Sequence, residues 1–169
     1  GIAHARLGSS EQALADYSRA IERDPEFANA YSNRGVVYEE LGNNERAIED
    51  YTYAIELDPD DATIYYNRGN AYRSLGDNEQ AIDDYTGAIE LDPENIDSYV
   101  NRGNAYFDLF RYDEAIADYN RAIELAPERS DIYSKRARAF IVSGDYDQGI
   151  ADATHVLEIN PEDIDAYYS

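Results

Sequence analysis

The sequence predicts an all-α fold, a solenoid of antiparallel helix pairs, and three observations carry that prediction. Pro25, Pro59, Pro93, Pro127 and Pro161 are all the prolines in the chain, and they stand at one constant interval. A fixed period of roughly 20–50 residues marks a stacked supersecondary unit. Each full period holds two apolar patterns at helical spacing, and a short break separates them. A helical hairpin of this kind cannot bury its apolar faces alone, so it must stack on its neighbours.

Cut by the period, the 169 residues form one solenoid. An incomplete repeat, 1–27, precedes four full ones at 28–61, 62–95, 96–129 and 130–163, and 164–169 begins a further helix. In 28–61 the first helix is patterned by Tyr31, Gly35, Tyr38 and Leu41, and the second by Ala47, Ile48, Tyr51, Ala54 and Ile55. Gly42 with Asn43 and Asn44 breaks the two apart. Asp58-Pro59 ends the second helix, because proline lacks the amide that a continuing helix requires. The carboxylates of Asp60 and Asp61 then suit the start of the next helix, where backbone N–H groups point outward. The same plan recurs from Tyr65 to Pro93 around Gly76. In 96–129 Phe110 replaces the turn glycine, and a local distortion is expected there.

Small residues have a place in this plan. Gly35, Gly69 and Gly103 lie mid-helix, where glycine costs about 1 kcal/mol against alanine, so their recurrence implies close approach of a neighbouring helix backbone. Ala47, Ala81 and Ala115 supply the matching small surface, and Tyr51, Tyr85 and Tyr119 fill the space between repeats. Repeat 130–163 departs from this: Ala137 replaces the glycine, Gly149 the alanine and Ala153 the tyrosine. Trading tyrosine for alanine implies a cavity unless something else fills it, so this repeat is expected to be the loosest or to pack against a further unit.

Composition narrows the function classes. The core is carried by tyrosine, of which there are 17 against 4 phenylalanines, and there is no methionine, tryptophan or cysteine. Without cysteine there are no disulfides, thiolate nucleophiles or cysteine-held metals. A formal net charge of −22 repels phosphate backbones and anionic lipid, over a Debye length of roughly 8–10 Å; nucleic acid is not an expected partner. No run approaches the roughly 18 apolar residues of a membrane span, and no charged-then-apolar leader opens the chain. A cytoplasmic protein, present here as a fragment that begins inside a repeat, is the expectation.

Tyr31, Gly35, Tyr38, Ala47, Tyr51, Ala54 and Pro59 recur together along the chain. With their period, they resemble the signature of the tetratricopeptide repeat (TPR), whose unit is about 34 residues long, and about five repeats are present. The resemblance implies a right-handed superhelix of helix pairs whose first helices line a concave groove for peptides or other proteins. Some members grip chaperone tails ending in EEVD through a clamp of two lysines, two asparagines and a further basic residue. Here Asn70, Asn101 and Lys135 stand at matching columns, but Tyr66 and Asp131 occupy the lysine columns, so such tails are not expected ligands.

Two constellations stand out. Arg34 and Asp50, Arg68 and Asp84, Arg102 and Asp118, and Arg136 and Asp152 share one separation, and each pair is centred on a turn. Residues equidistant from the turn of an antiparallel hairpin lie at one level, so these are expected to be structural ion pairs. Asn33, Asn67 and Asn101 instead form a ladder on the opposite face of the first helices, flanked by Asn70 and Asn104. Asparagine is a poor helix former, so its repetition asks for a reason. An amide both donates and accepts, which suits the backbone of an extended peptide. Tyr66, Phe107 and Ile141 are placed to meet apolar side chains, and Arg73, Lys135 and Arg138 make the later part of the face locally basic, favouring an acidic or C-terminal segment there.

Catalysis has little support. His4 and His155 lie in different repeats with no nucleophile motif beside them, and His155 falls in a column that reads as surface. Asp58-Pro59-Asp60-Asp61 lacks the glycine and glutamate of a calcium loop. No catalytic residue, metal or cofactor is expected. The function expected is protein–protein interaction, with an extended segment held in the groove. Its rival is a self-assembling scaffold stacking head to tail, suggested by Gly1 and Ser169, which fall two columns apart in one helix of the repeat.

Overall fold

The computed structural model describes residues 2–159, with the backbone alone for residues 2–8. Among them there is no strand. The chain divides into two compact units, 1–91 and 92–169. The first holds α1 (Ile2–Arg23), α2 (Ala28–Glu40), α3 (Asn44–Leu57), α4 (Ala62–Ser74) and α5 (Asn78–Leu91). The second holds α6 (Ile96–Asp108), α7 (Tyr112–Leu125), α8 (Ser130–Ser143) and α9 (Tyr146–Ile159). Within each unit every helix packs on the next, and first helices also approach one another, α2 with α4 and α6 with α8.

At the amino end, α1 runs straight through position 8, where the period would place a turn, so residues 2–23 form one helix rather than part of a hairpin. The expected further helix at 164–169, with Gly1, Pro161 and Ser169, lies outside the described residues, as does the side chain of His4.

Helix starts follow local chemistry. Asn43, Asp61 and Asn95 cap α3, α4 and α6 by accepting from the amides of Arg46, Thr63 and Ser98. First helices end on a left-handed residue at Gly42, Gly76 and Gly144. In each, that residue's amide bonds the carbonyl three back and the following amide the carbonyl five back, as in Gly76 to Arg73 (2.9 Å) and Asp77 to Tyr72 (3.0 Å). This is the Schellman closure, which satisfies carbonyls that the helix leaves open. The distortion expected at Phe110 is absent. Phe110 bonds Phe107 and Arg111 bonds Tyr106, both at 2.9 Å, because Phe110 itself adopts φ 61°. The turn keeps its geometry and the strain sits on one exposed residue.

The mid-helix glycines also have a different reason from the one expected. A Cβ on Gly35, Gly69 or Gly103 would lie 2.7–2.8 Å from Cε1 of Tyr51, Tyr85 or Tyr119, the tyrosine of the same hairpin. What approaches is a ring, not a backbone. These three tyrosines are essentially buried; Tyr51 packs with Ala47 and Ala54 of α3 and with Ile64 and Ala71 of α4.

The departures in 130–163 then become one coupled exchange. With Ala153 in place of the ring, Ala137 keeps its methyl and is fully buried. Gly149 receives Ile141 instead, whose Cγ1 would lie 2.6 Å from an added Cβ. A side chain of α8 thus leans in where the other repeats carry the alanine methyl.

This packing is open to test at two positions. Replacing Phe110 with glycine should raise stability by about 1 kcal/mol, the usual relief for a left-handed non-glycine residue, as read by urea denaturation. Gly69→Ala should cost roughly 1–3 kcal/mol through overpacking against Tyr85. In a Tyr85→Ala background the same change should instead stabilise by up to about 1 kcal/mol, the helix preference of alanine. An unchanged sign in thermal melts of the four proteins would disprove the ring-over-glycine account.

Candidate functional site

The three arginines of the Asn-Arg-Gly phrase and the corresponding Arg136 face inward from the first helices. Arg34, Arg68, Arg102 and Arg136 each grip the aspartate across the turn through two parallel N–H···O bonds. The Nε–Oδ2 and Nη2–Oδ1 distances are 2.8 and 2.7 Å for Arg68–Asp84 and 2.7 and 2.6 Å for Arg136–Asp152. Arg34–Asp50 and Arg102–Asp118 repeat the arrangement. All four aspartates are buried. Burial would lower the Arg68 pKa, but the hydrogen bonds and charge of Asp84 outweigh it and hold the guanidinium above its usual value.

The clamps also reach beyond their own hairpin. Nη1 of Arg34 donates to Ser18 Oγ (3.1 Å), that of Arg68 to Thr52 Oγ1 (3.1 Å) and that of Arg136 to Asn120 Oδ1 (2.5 Å). Each acceptor lies on the helix immediately before the arginine's own, as far before its arginine as the clamped aspartate lies after it. A ring of Tyr31, Tyr65, Tyr99 or Tyr133 faces the guanidinium at 5.5–5.9 Å. Ser18, Thr52 and Asn120 were not expected in this role, although a hydroxyl or amide at one constant distance before each of these arginines was there to be seen.

The buried tyrosines need acceptors for their hydroxyls. Tyr85 donates to Asn70 Oδ1 (2.7 Å) and Tyr119 to Asn104 Oδ1 (2.9 Å). These asparagines therefore hold their own hairpin with the oxygen that a ligand would otherwise find. In 28–61 that column is Val36, so Tyr51 turns to Glu39 Oε2 (2.9 Å). Burial pushes both the Tyr51 hydroxyl and the Glu39 carboxyl above their ordinary pKa values.

The remaining candidates of the first helices differ in what they touch. In the first unit Asn33 is exposed and Asn67 half-buried, and among the described residues neither amide has a hydrogen-bond partner. Asn67 lines an open pocket of about 330 Å3 with Val36, Glu39 and Glu40. Tyr66 leans on Tyr85, ring centroids 6.0 Å apart, and Arg73 is engaged with the Tyr85 hydroxyl.

In the second unit Asn101 accepts from Asn104 at 3.5 Å. Arg138 covers the ring of Phe107 at 5.0 Å. Lys135 approaches Asp131 at 3.8 Å. Arg129, which the sequence pattern did not single out, bridges Asp97 (2.6 Å) and Asp131 (2.9 Å), and those hydrogen bonds raise its pKa. The basic character expected around Lys135 is thus partly balanced by carboxylates in place. His155 lies edge-on to Tyr133, centroids 4.6 Å apart. Among the described residues no group of three acidic, histidine or cysteine side chains is placed to hold a metal ion, and no helix is long and apolar enough to cross a membrane.

Profiles of the Tetratricopeptide repeat match residues 1–62, 51–83 and 96–129, and one of the TPR repeat matches residues 69–109. The chain is a tetratricopeptide repeat protein. Search of curated proteins finds no match. Among solved structures this TPR chain is similar to MamA, at 26% identity over 92% of this chain and 91% of that one, with a TM-score of 0.89. It shares the fold of YrrB, a TPR protein with an unusual peptide-binding site, at 20% identity, covering 97% and 84% of the two chains with a TM-score of 0.87. The first TPR of Spaghetti (RPAP3), solved with an HSP90 peptide, is 32% identical over 63% of this chain and 85% of that one, TM-score 0.61.

The clamp is open to a direct measurement. Removing either partner of Arg68–Asp84, as Arg68→Met or Asp84→Leu, should cost roughly 3–5 kcal/mol, because a buried charge is left unpaired. The double variant should cost well under the sum, leaving a coupling energy of several kcal/mol in a denaturation cycle. Additive effects would remove the clamp as a source of stability.

Proposed function

We propose that this TPR chain is a non-catalytic interaction module that binds an extended segment of another protein on the faces of its first helices. The observation that carries the reading is the pair Asn33 and Asn67. Both are poor helix formers on an unpacked face, and neither amide is used by the fold among the described residues. They offer a donor and an acceptor each, at the spacing of successive repeats, to a peptide backbone. In the first unit Tyr66 and Arg73 are candidate side-chain contacts beside them; the second unit offers Asn101, Phe107, Lys135 and Arg138 on its own first helices, while Asn70 and Asn104 contribute through what their tyrosine bonds leave over.

YrrB and the RPAP3 repeat are peptide-binding TPR structures, and they support the class of partner. They do not carry over its identity. Tyr66 and Asp131 in the lysine columns argue against tails ending in EEVD, and the net charge of −22 argues against nucleic acid. A cytoplasmic setting belongs to this reading.

Panning a phage-displayed random dodecapeptide library on the chain tests it directly. Selected peptides should bind Asn33→Ala/Asn67→Ala at least tenfold more weakly, about 1.4 kcal/mol. The same double variant should melt no lower than the parent, since alanine is the better helix former. Failure to enrich any peptide would refute the proposal.

A second reading, self-association, has one observation in its favour. Ile150 on α9 is 63% exposed, where Ile82 in the same column is 6% exposed. Tyr146 lies one turn before it on the same face, 62% exposed. Sedimentation equilibrium showing a larger species that Ile150→Glu dissolves would favour this reading, whose original basis at Gly1 and Ser169 lies outside the described residues.

A further inference from the structure

The pocket between α2 and α4 has a composition found nowhere else along the repeats. Its walls are Val36, Glu39, Glu40 and Asn67. The columns that supply Glu39 elsewhere carry Arg73, Phe107 and Ile141, and the Glu40 column carries Ser74, Asp108 and Val142. Two carboxylates therefore flank one opening, with an aliphatic surface and an amide beside them. The Tyr51 hydroxyl fixes the Glu39 carboxylate by taking one of its two oxygens, so the group is oriented before anything binds.

The cations that α2 and α4 own are engaged elsewhere. Arg34 and Arg68 are clamped to Asp50 and Asp84, and Arg73 is engaged with Tyr85. The Glu39 carboxylate is half-buried and short of water, a state that a cation relieves. We infer that this pocket is the seat for a lysine or arginine side chain of the extended partner. The aliphatic stem would lie along Val36 and the charged head between Glu39 and Glu40, the usual division of a long basic side chain between apolar and polar surroundings. Asn67 beside it would hold the backbone of the same residue. The charge of −22 draws such a segment in from a distance. The inference rests on the interaction reading and gives it a partner chemistry: a segment with a basic anchor on the first unit, opposite in sign to what Lys135 and Arg138 favour on the second.

The test uses the full chain panned with phage-displayed random dodecapeptides. Lysine and arginine should be enriched at one position of the selected peptides. Replacing that residue by norleucine should weaken binding at least tenfold. On Glu39→Gln/Glu40→Gln, panning should still select peptides, now without the basic enrichment, since glutamine retains an acceptor for Tyr51. Should the double variant fold poorly, Glu40→Gln alone, at the exposed end of α2, is expected to reduce the enrichment about threefold. Selected peptides lacking a basic preference, or a preference unchanged in the variants, would overturn the basic anchor while leaving the interaction module standing. No enrichment on the parent chain would overturn both.

Discussion

A planar guanidinium buried in a helical hairpin must meet a carboxylate at its own level, and much of this structure depends on that demand. The Arg–Asp clamps join the two helices of each hairpin at one fixed register, since a slip of one residue would leave both charges buried and unpaired. Bidentate geometry makes the requirement directional as well as energetic. Where a third N–H reaches Ser18, Thr52 or Asn120, the same side chain also fixes how that hairpin sits on the helix before it. The inward-facing arginine thus acts as a registration device. Its worth lies in the penalty for mismatch more than in net stabilisation, because taking the pair out of water offsets most of the attraction between its members.

The tyrosines work alongside the clamps. Each buried ring lies over a glycine of its partner helix, which keeps the two helices close at a point where any Cβ would collide. Each hydroxyl is then taken to the far edge of the core, where an asparagine or Glu39 receives it. One residue so links the core to the exposed face. The consequence for function is that the polar face is divided: Asn70 and Asn104 anchor tyrosines, whereas Asn33 and Asn67 are left to the surface. Adjacent columns of one helix thus differ in whether the frame uses their amides.

Variation between repeats is tolerated when it is coupled. Ala137 and Ala153 replace a glycine and a tyrosine together, and Gly149 with Ile141 fills the other side of the exchange. Phe110 shows the other outcome, an uncoupled change that leaves the turn intact and stores the strain locally. Val36 is a third case. Its loss of the asparagine amide sends the Tyr51 hydroxyl to Glu39, and that displacement fixes a carboxylate at the mouth of a pocket.

The repeat, its helix boundaries and the pairing of Arg68 with Asp84 were legible in the sequence, because a fixed period and a hairpin turn convert sequence distance into spatial level. Local chemistry sufficed there: proline ends a helix, and equidistance from a turn puts residues side by side. Sequence alone did not reveal what approaches Gly69, since a missing Cβ records that space is needed without saying whether a ring or a backbone takes it. Nor did it reveal the acceptor for each tyrosine hydroxyl, the reach of Arg68 to Thr52, or the ability of Phe110 to close a turn meant for glycine. Those outcomes depend on contacts between helices, and only the tertiary structure decides which of several chemically suitable neighbours is near enough to bond.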